Sequence, residues 1–138
     1  MSEGAMPPDS EPAIRVVMMP RDTNAAGTIF GGVILSQLDL AASIEAHKHH
    51  QGMLVTVAMN KVEFKQPVHV GDLVSFYTET LKVGRTSVQT RVCVWAQRRF
   101  GDGEHIPVTE AHVTMVAVDG EVTDEERATV IVFAQLIR

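Results

Sequence analysis

Residues 24 to 45, NAAGTIFGGVILSQLDLAASIE, decide how the rest of the chain must be arranged. The stretch opens with small and polar residues, turns at Gly31-Gly32, and runs into an apolar segment of helical length. Val33 to Ala46 contains no Pro or Gly and is dominated by Leu, Ile and Ala, which predicts a helix continuing to about His50. At about 100° per residue, apolar side chains cover most of its circumference. A helix of that kind belongs inside a protein. Ser36, Asp39, Ser43 and His47 interrupt the pattern at spacings of three, four and four, and so share one polar stripe. Asp39 sits mid-helix between Leu38 and Leu40, where burying an unpaired carboxylate is costly. It needs either a basic partner from a neighbouring element or a chemical purpose.

Working outward, Ala13 to Met19 is a short apolar run ended by Pro20, read as a first strand. The segment from Pro20 to Thr28 is loop, rich in Asp, Asn and Gly. Gln51-Gly52 stops the helix, and the hydrophobic period then changes from 3.6 to 2. Strands are expected at 53–64, 73–82, 86–98 and 106–118, with turns at Gly71-Asp72, Gly84-Arg85 and Gly101-Asp102-Gly103. The third of these alternates cleanly, with Val88, Thr90, Val92, Val94 and Ala96 on one face and Gln89, Arg91, Cys93, Trp95 and Gln97 on the other. Four consecutive strands suggest an antiparallel meander. Thr123, followed by Asp124, Glu125 and Glu126, predicts a short C-terminal helix. One apolar sheet face needs a cover, and only the central helix is apolar enough to provide it. The expected fold is therefore α+β: a curved antiparallel sheet wrapped around one long helix.

The 138 residues suit one domain, with 45% hydrophobic content sufficient for a core. Residues 1–12 are acidic and Pro-rich and read as a flexible lead-in to a single domain over 13–138. There is no apolar run of membrane-spanning length, so no membrane is expected as a partner. A net charge of −5 argues against nucleic acid. Cys93 is the only cysteine, which excludes an intrachain disulfide and favours a reducing cytoplasm. There is no Gly-x-Ser-x-Gly elbow, and Gly27, Gly31 and Gly32 have the wrong spacing for a nucleotide fingerprint. Cys93, mid-strand beside Trp95, reads as a packing residue. His47, His49 and His50 suit the helix C-terminus, and no metal is expected there. The Arg98-Arg99 pair reads as solvated.

The run Asp22-Thr23-Asn24-Ala25-Ala26-Gly27-Thr28-Ile29-Phe30-Gly31-Gly32, followed by Gln37-Leu38-Asp39, resembles the signature of hotdog-fold acyl-CoA thioesterases. The likeness extends from about Met19 to Asp119. It implies a hotdog fold and hydrolysis of acyl-CoA to a free acid and coenzyme A, with no cofactor beyond the coenzyme A carried in substrate and product. It implies Asp39 as base or nucleophile, Asn24 as a positioning group and Gly31-Gly32 as oxyanion donors. The chemistry is reasonable. A helix N-terminus offers unpaired N–H groups to a developing oxyanion, and a carboxylate in a semi-apolar setting can activate water or attack directly. Asn24 by its spacing alone reads as a turn residue; only the resemblance places it in the active site.

Lys82-Val83-Gly84-Arg85-Thr86-Ser87 is similar to the family's coenzyme A-binding segment. That similarity implies that Lys82, Gly84, Arg85, Thr86 and Ser87 contact the phosphates; an ordinary hairpin with solvated charges is the plain alternative. Gly31 and Asp39 are eight residues apart, about 12 Å along one helix, so both reach one carbonyl only if a two-fold partner supplies one of them. The resemblance implies a homodimer at minimum and a trimer of dimers as the larger assembly. Two rival readings are a hotdog-fold hydratase or dehydratase, disfavoured because no His precedes His47, and a non-catalytic acyl-CoA-binding protein, disfavoured by Asp39.

Overall fold

A computed structural model describes residues 6–118. Strand β1 (Ile14–Val17) is followed by a single 3-10 turn at Pro20–Asp22 and helix α1 (Gly31–Ala46). Strands β2 (Met53–Asn60), β3 (Leu73–Val83), β4 (Ser87–Gln97) and β5 (His105–Val118) complete the described fold. The expected C-terminal helix lies outside the described residues. All pairings are antiparallel, in the order β1-β3-β4-β5-β2.

The meander expected for all four later strands holds only for β3, β4 and β5. Strand β2 does not pair with β3; it lies beyond β5, with Met53 opposite Val118 and Asn60 opposite His112. The break comes at Lys61, whose φ of 60° takes the chain out of extended geometry and ends the strand before Phe64. Residues 61–72 then cross to the start of β3, far too long a connection for a tight hairpin.

The sheet curls around α1 as the apolar patterns require. Ile34, Leu38, Ala41, Ala42 and Ala46 on the helix are fully buried against Val74, Phe76, Val88, Val92, Val94, Val108 and Val113. Burying each of the larger side chains contributes about 1.5–3 kcal/mol. The inward face of β4 is the predicted one, with Val88, Thr90, Val92, Val94 and Ala96 all buried. The helix is not enclosed all round, however. Leu40 and Ile44 are 52% and 43% exposed on the single chain, as are Met53 (54%) and Val57 (49%) on edge strand β2.

Arg98 and Arg99 are not the solvated pair expected from the sequence. Arg98 forms an ion pair with buried Asp72 and donates to the Pro67 carbonyl at 3.1 Å; Arg99 donates to the Gly71 carbonyl at 2.8 Å. Asp72 also accepts from the His69 N–H at 2.8 Å. These bonds lock the 61–72 connection to the β4–β5 hairpin. The physical reason is position: a basic pair just past a strand end meets the carbonyls of the neighbouring turn before it meets water.

Candidate active site

Helix α1 begins at Gly31 with Phe30 in the capping position and no side-chain cap. The Val33 N–H turns back to the Phe30 carbonyl at 3.0 Å, while the N–H groups of Gly31 and Gly32 have no partner among the described residues. That is the ordinary deficit of a helix start, and it leaves donors pointing outward with a partial positive charge. Gly31 opens on a groove of about 310 Å³ whose apolar walls are Ile29, Ile34, Phe64, Pro67 and Val68. A Cβ on Gly31 would lie 3.5 Å from the Phe64 ring, so the missing side chain keeps this passage open. Gly32 is buried and does not line the groove.

The loop before the helix is fixed by Asn24. Its Oδ1 accepts from the N–H groups of Ala26 (2.9 Å) and Thr28 (3.2 Å), and its Nδ2 donates to the Thr28 hydroxyl at 3.0 Å. The turn-residue reading of Asn24 is thus realised in this chain, and one Nδ2 hydrogen is left for another acceptor. The Phe30 N–H, donating to the Asp22 carbonyl at 2.8 Å, and the Thr23–Ile29 bridge hold this loop against the helix start.

Asp39 lies two turns further along α1 and is half-buried. Thr56 of β2 donates its hydroxyl to Asp39 Oδ1 at 2.6 Å, and no Lys, Arg or His among the described residues pairs with the carboxylate. Burial pushes its pKa above the usual carboxylate range, and the Thr56 hydrogen bond only partly offsets that. Among the described residues, therefore, no structural ion pair, one of the two explanations for a mid-helix Asp, holds it. Thr56 escaped the sequence reading. Its only signal was an inward position in the alternation of β2, where a hydroxyl is an unusual choice.

The carboxylate at Glu45 behaves differently. Although burial alone would raise its pKa, bonds from Lys48 Nζ (2.8 Å), Thr80 (2.6 Å) and Thr78 (3.0 Å) hold it below the usual value. Together with the bond between His49 Nε2 and the Thr80 hydroxyl at 2.9 Å, these contacts anchor the end of the helix to β3. Sequence reading also passed over Glu45, because the threonines that tie it to the sheet are remote in the chain.

The 82–87 hairpin joins β3 and β4 just beyond that anchor. The Gly84 N–H donates to the Ser87 carbonyl at 2.8 Å, and a Cβ on Gly84 would sit 2.6 Å from Ser87 Oγ, so a larger residue there would have to turn the Ser87 hydroxyl aside. Lys82, Arg85 and Thr86 are exposed, with no carboxylate bound to either cation among the described residues. Asn24 and Gly31 both belong to the segment that leads into α1, but Asn24 is bonded to Ala26 and Thr28 and does not line the groove at Gly31, and Asp39 lies two turns beyond Gly31. The hairpin lies by the opposite end of a 16-residue helix about 24 Å long.

Among the described residues, no three His, Cys, Asp or Glu side chains are grouped to hold a metal. Cys93 is no nucleophile here: burial first, then the neighbouring Glu110 carboxylate, push its thiol to a pKa of about 11.

The chain belongs to the thioesterase superfamily, whose sequence pattern matches residues 26–99. It is 45% identical over 108 residues to an uncharacterized acyl-CoA thioester hydrolase of Haemophilus influenzae, covering 77% of this chain and 70% of the relative. The acyl-CoA thioester hydrolase YciA of Escherichia coli is 39% identical over 116 residues, covering 83% of this chain and 88% of the relative. Among solved structures, Cj0915 of Campylobacter jejuni, a hexameric hotdog fold thioesterase, superposes with a TM-score of 0.77 at 43% identity. That match covers 88% of this chain and 96% of the other. The wrapped-helix architecture expected from the sequence is thus the hotdog fold.

Proposed function

We propose that this protein hydrolyses acyl-CoA thioesters to a free carboxylic acid and coenzyme A, in active sites shared between two copies of the chain. The observation that carries the reading is Asp39: a half-buried helix carboxylate with a raised pKa, bonded by a neutral hydroxyl rather than a cation. Such a group is poised to take a proton from water, or to attack the thioester carbonyl itself. In either route the carbonyl oxygen becomes an oxyanion, the carbon–sulfur bond breaks and coenzyme A leaves as thiolate; where Asp39 attacks, the acyl–aspartyl anhydride it leaves is then hydrolysed by water, releasing the acid and restoring the carboxylate. The unpaired N–H of Gly31 is a donor for that oxyanion, with Gly32 behind it, and the remaining Asn24 Nδ2 hydrogen can orient water or carbonyl. The groove beside Gly31 gives an apolar acyl chain a surface to lie on. These steps need only a carboxylate, amide donors and water, so coenzyme A serves as part of substrate and product rather than as a cofactor.

Two copies are required by distance. Asp39 and Gly31 of one chain are about 12 Å apart along α1, and the 82–87 hairpin is further still. A two-fold pairing that sets the helices antiparallel brings Asp39 of one copy toward the other's Gly31. It would also cover Leu40 and Ile44, which are too apolar and too exposed to suit a monomer. The hexameric state of the Campylobacter thioesterase makes a trimer of dimers the natural assembly. No helix among the described residues is long and apolar enough to cross a membrane. We place the protein in the cytoplasm, in keeping with its lone cysteine.

Release of free thiol from a panel of acyl-CoAs of increasing chain length tests the reading. Turnover of at least one of them, above the rate without enzyme, is expected. Binding without turnover would make the protein an acyl-CoA-binding module instead.

A further inference from the structure

The convex side of the sheet, away from α1, carries a second polar cavity. It has a volume of about 110 Å³ and is bordered by Arg15 of β1, Ser75 and Tyr77 of β3, Trp95 and Gln97 of β4, and His105 of β5. Arg15 stands opposite Ser75, Ser75 opposite Trp95, and Gln97 opposite His105, so the cavity follows two adjacent rungs of one sheet face.

Its hydrogen-bond balance is one-sided. Arg15 Nε donates to Ser75 Oγ at 2.9 Å and Arg15 Nη2 donates to the Tyr77 hydroxyl at 3.4 Å. Those bonds fix the plane of the guanidinium while leaving three of its five hydrogens unmatched among the described residues. Each hydroxyl accepts one of these bonds, and its own hydrogen has no acceptor among the described residues. Ser75 and Tyr77 are only 6% and 7% exposed, and Trp95 is 3% exposed with an indole N–H that likewise has no acceptor among the described residues. No residue lining the cavity carries a carboxylate, although the chain as a whole is acidic at −5. Arg15 is exposed, but its guanidinium is oriented by two hydroxyls that can still donate, and with no carboxylate among the lining residues this arrangement suits a ligand that accepts.

We propose that this cavity is a binding site for a small oxyanion, either a phosphate group or a short-chain carboxylate, held by Arg15 with Ser75 and Tyr77 as secondary donors. At roughly 30 Å³ per water molecule, 110 Å³ has room for an ion of a few heavy atoms and excludes a whole nucleotide. The site is on the opposite face of the sheet from Asp39 and requires nothing of the thioesterase reaction.

Trp95 is the only tryptophan in the chain, so its fluorescence reports on this cavity alone. The full-length protein is titrated with inorganic phosphate and, separately, with butyrate, against sodium chloride at matched ionic strength. A saturable change with either anion and none with chloride is expected; response to phosphate alone, to butyrate alone or to both identifies the source. Arg15→Gln should weaken the response at least about tenfold, because a charge-assisted bond is lost. Thioester turnover in that variant should stay within about twofold, since no reacting group is touched. Tyr77→Phe and Ser75→Ala, which keep the cation, should each weaken binding less, and they serve should Arg15→Gln fail to fold. A protein that shows no saturable response to either anion overturns the proposal, as does a response left unchanged by all three substitutions.

Discussion

The Thr56 hydroxyl lies 2.6 Å from Asp39 Oδ1, joining the middle of the buried helix to the edge strand that follows it. It is the sole hydrogen bond that the Asp39 carboxylate makes to a described residue, and its donor is neutral. The carboxylate is therefore held in place without being neutralised. Both its reactivity and its cost to the fold follow from that.

Asp39→Asn keeps the shape while removing the base or nucleophile, so turnover should fall at least ~10²-fold. Stability should move the other way. A carboxyl whose folded pKa lies above its unfolded value binds more protons when folded, so wild-type stability falls as pH rises from the unfolded pKa through the folded one. Asp39→Asn should thus be at least as stable as wild type at pH 7, with the difference vanishing below about pH 4. Denaturant midpoints across pH check this, and an inactive but destabilised variant at pH 7 would contradict it.

Thr56→Val removes the one bond that favours the ionised form. The Asp39 pKa should rise further, moving the acidic limb of the kcat/KM profile to higher pH. A limb that stays in place would mean that another group controls it.

Lys82→Ala combined with Arg85→Ala tests the exposed hairpin. The KM for acyl-CoA should increase while kcat at saturation changes little, since phosphate contacts serve ground and transition states alike. The gap between variant and wild type should narrow at high salt. Equal KM values for several acyl-CoAs would return this hairpin to an ordinary turn.

Mixed oligomers test the shared site. Asn24→Ala and Asp39→Asn proteins are each expected to be defective throughout. If a site takes Asn24 from one chain and Asp39 from the other, random re-pairing puts about half the protein in mixed dimers, each with one intact site, so about a quarter of all sites recover. Co-expression or joint refolding is required, because a large interface exchanges slowly. Verified mixed dimers without recovered turnover would place both residues in a site within one chain.

Arg98 tests the lock between the 61–72 connection and the β4–β5 hairpin. Arg98→Ala leaves Asp72 charged and buried, costing about 3–5 kcal/mol by chemical denaturation. The paired replacement Arg98→Met with Asp72→Asn should cost clearly less, because no buried charge is stranded. A paired variant as unstable as Arg98→Ala would show that the ion pair is not what secures this corner.

The fold was legible where periodicity spoke plainly. Leu and Ala spacing marked α1, and the alternation from Val88 to Ala96 marked the inward face of β4. What could not be read was pairing between remote segments. Nothing local announces that Asn60 faces His112, since Lys61 enters its left-handed conformation without a Gly to signal it. The same limit applies at the site. Asp39 stands out because a mid-helix acid among leucines is costly, whereas Thr56 and Arg98 matter through partners 17 and 26 residues away, and Glu45 is tied to the sheet by threonines 33 and 35 residues away. Asn24 shows the converse: its local turn bonds are visible from sequence, but any second role depends on a copy of the chain that sequence does not arrange.

Helix α1 is fastened unequally. Its last turn is riveted to β3 through Glu45, Thr78 and Thr80 and steadied by Lys48, whereas its first turn has no side-chain cap and faces a groove. Side-chain fastening therefore collects at the end beside the hairpin that carries Lys82 and Arg85, while the end at Gly31 is held by backbone bonds and packing alone. On the proposed reading, varied acyl groups would meet the end without a side-chain cap, and the coenzyme would lie beside the end fastened to the sheet.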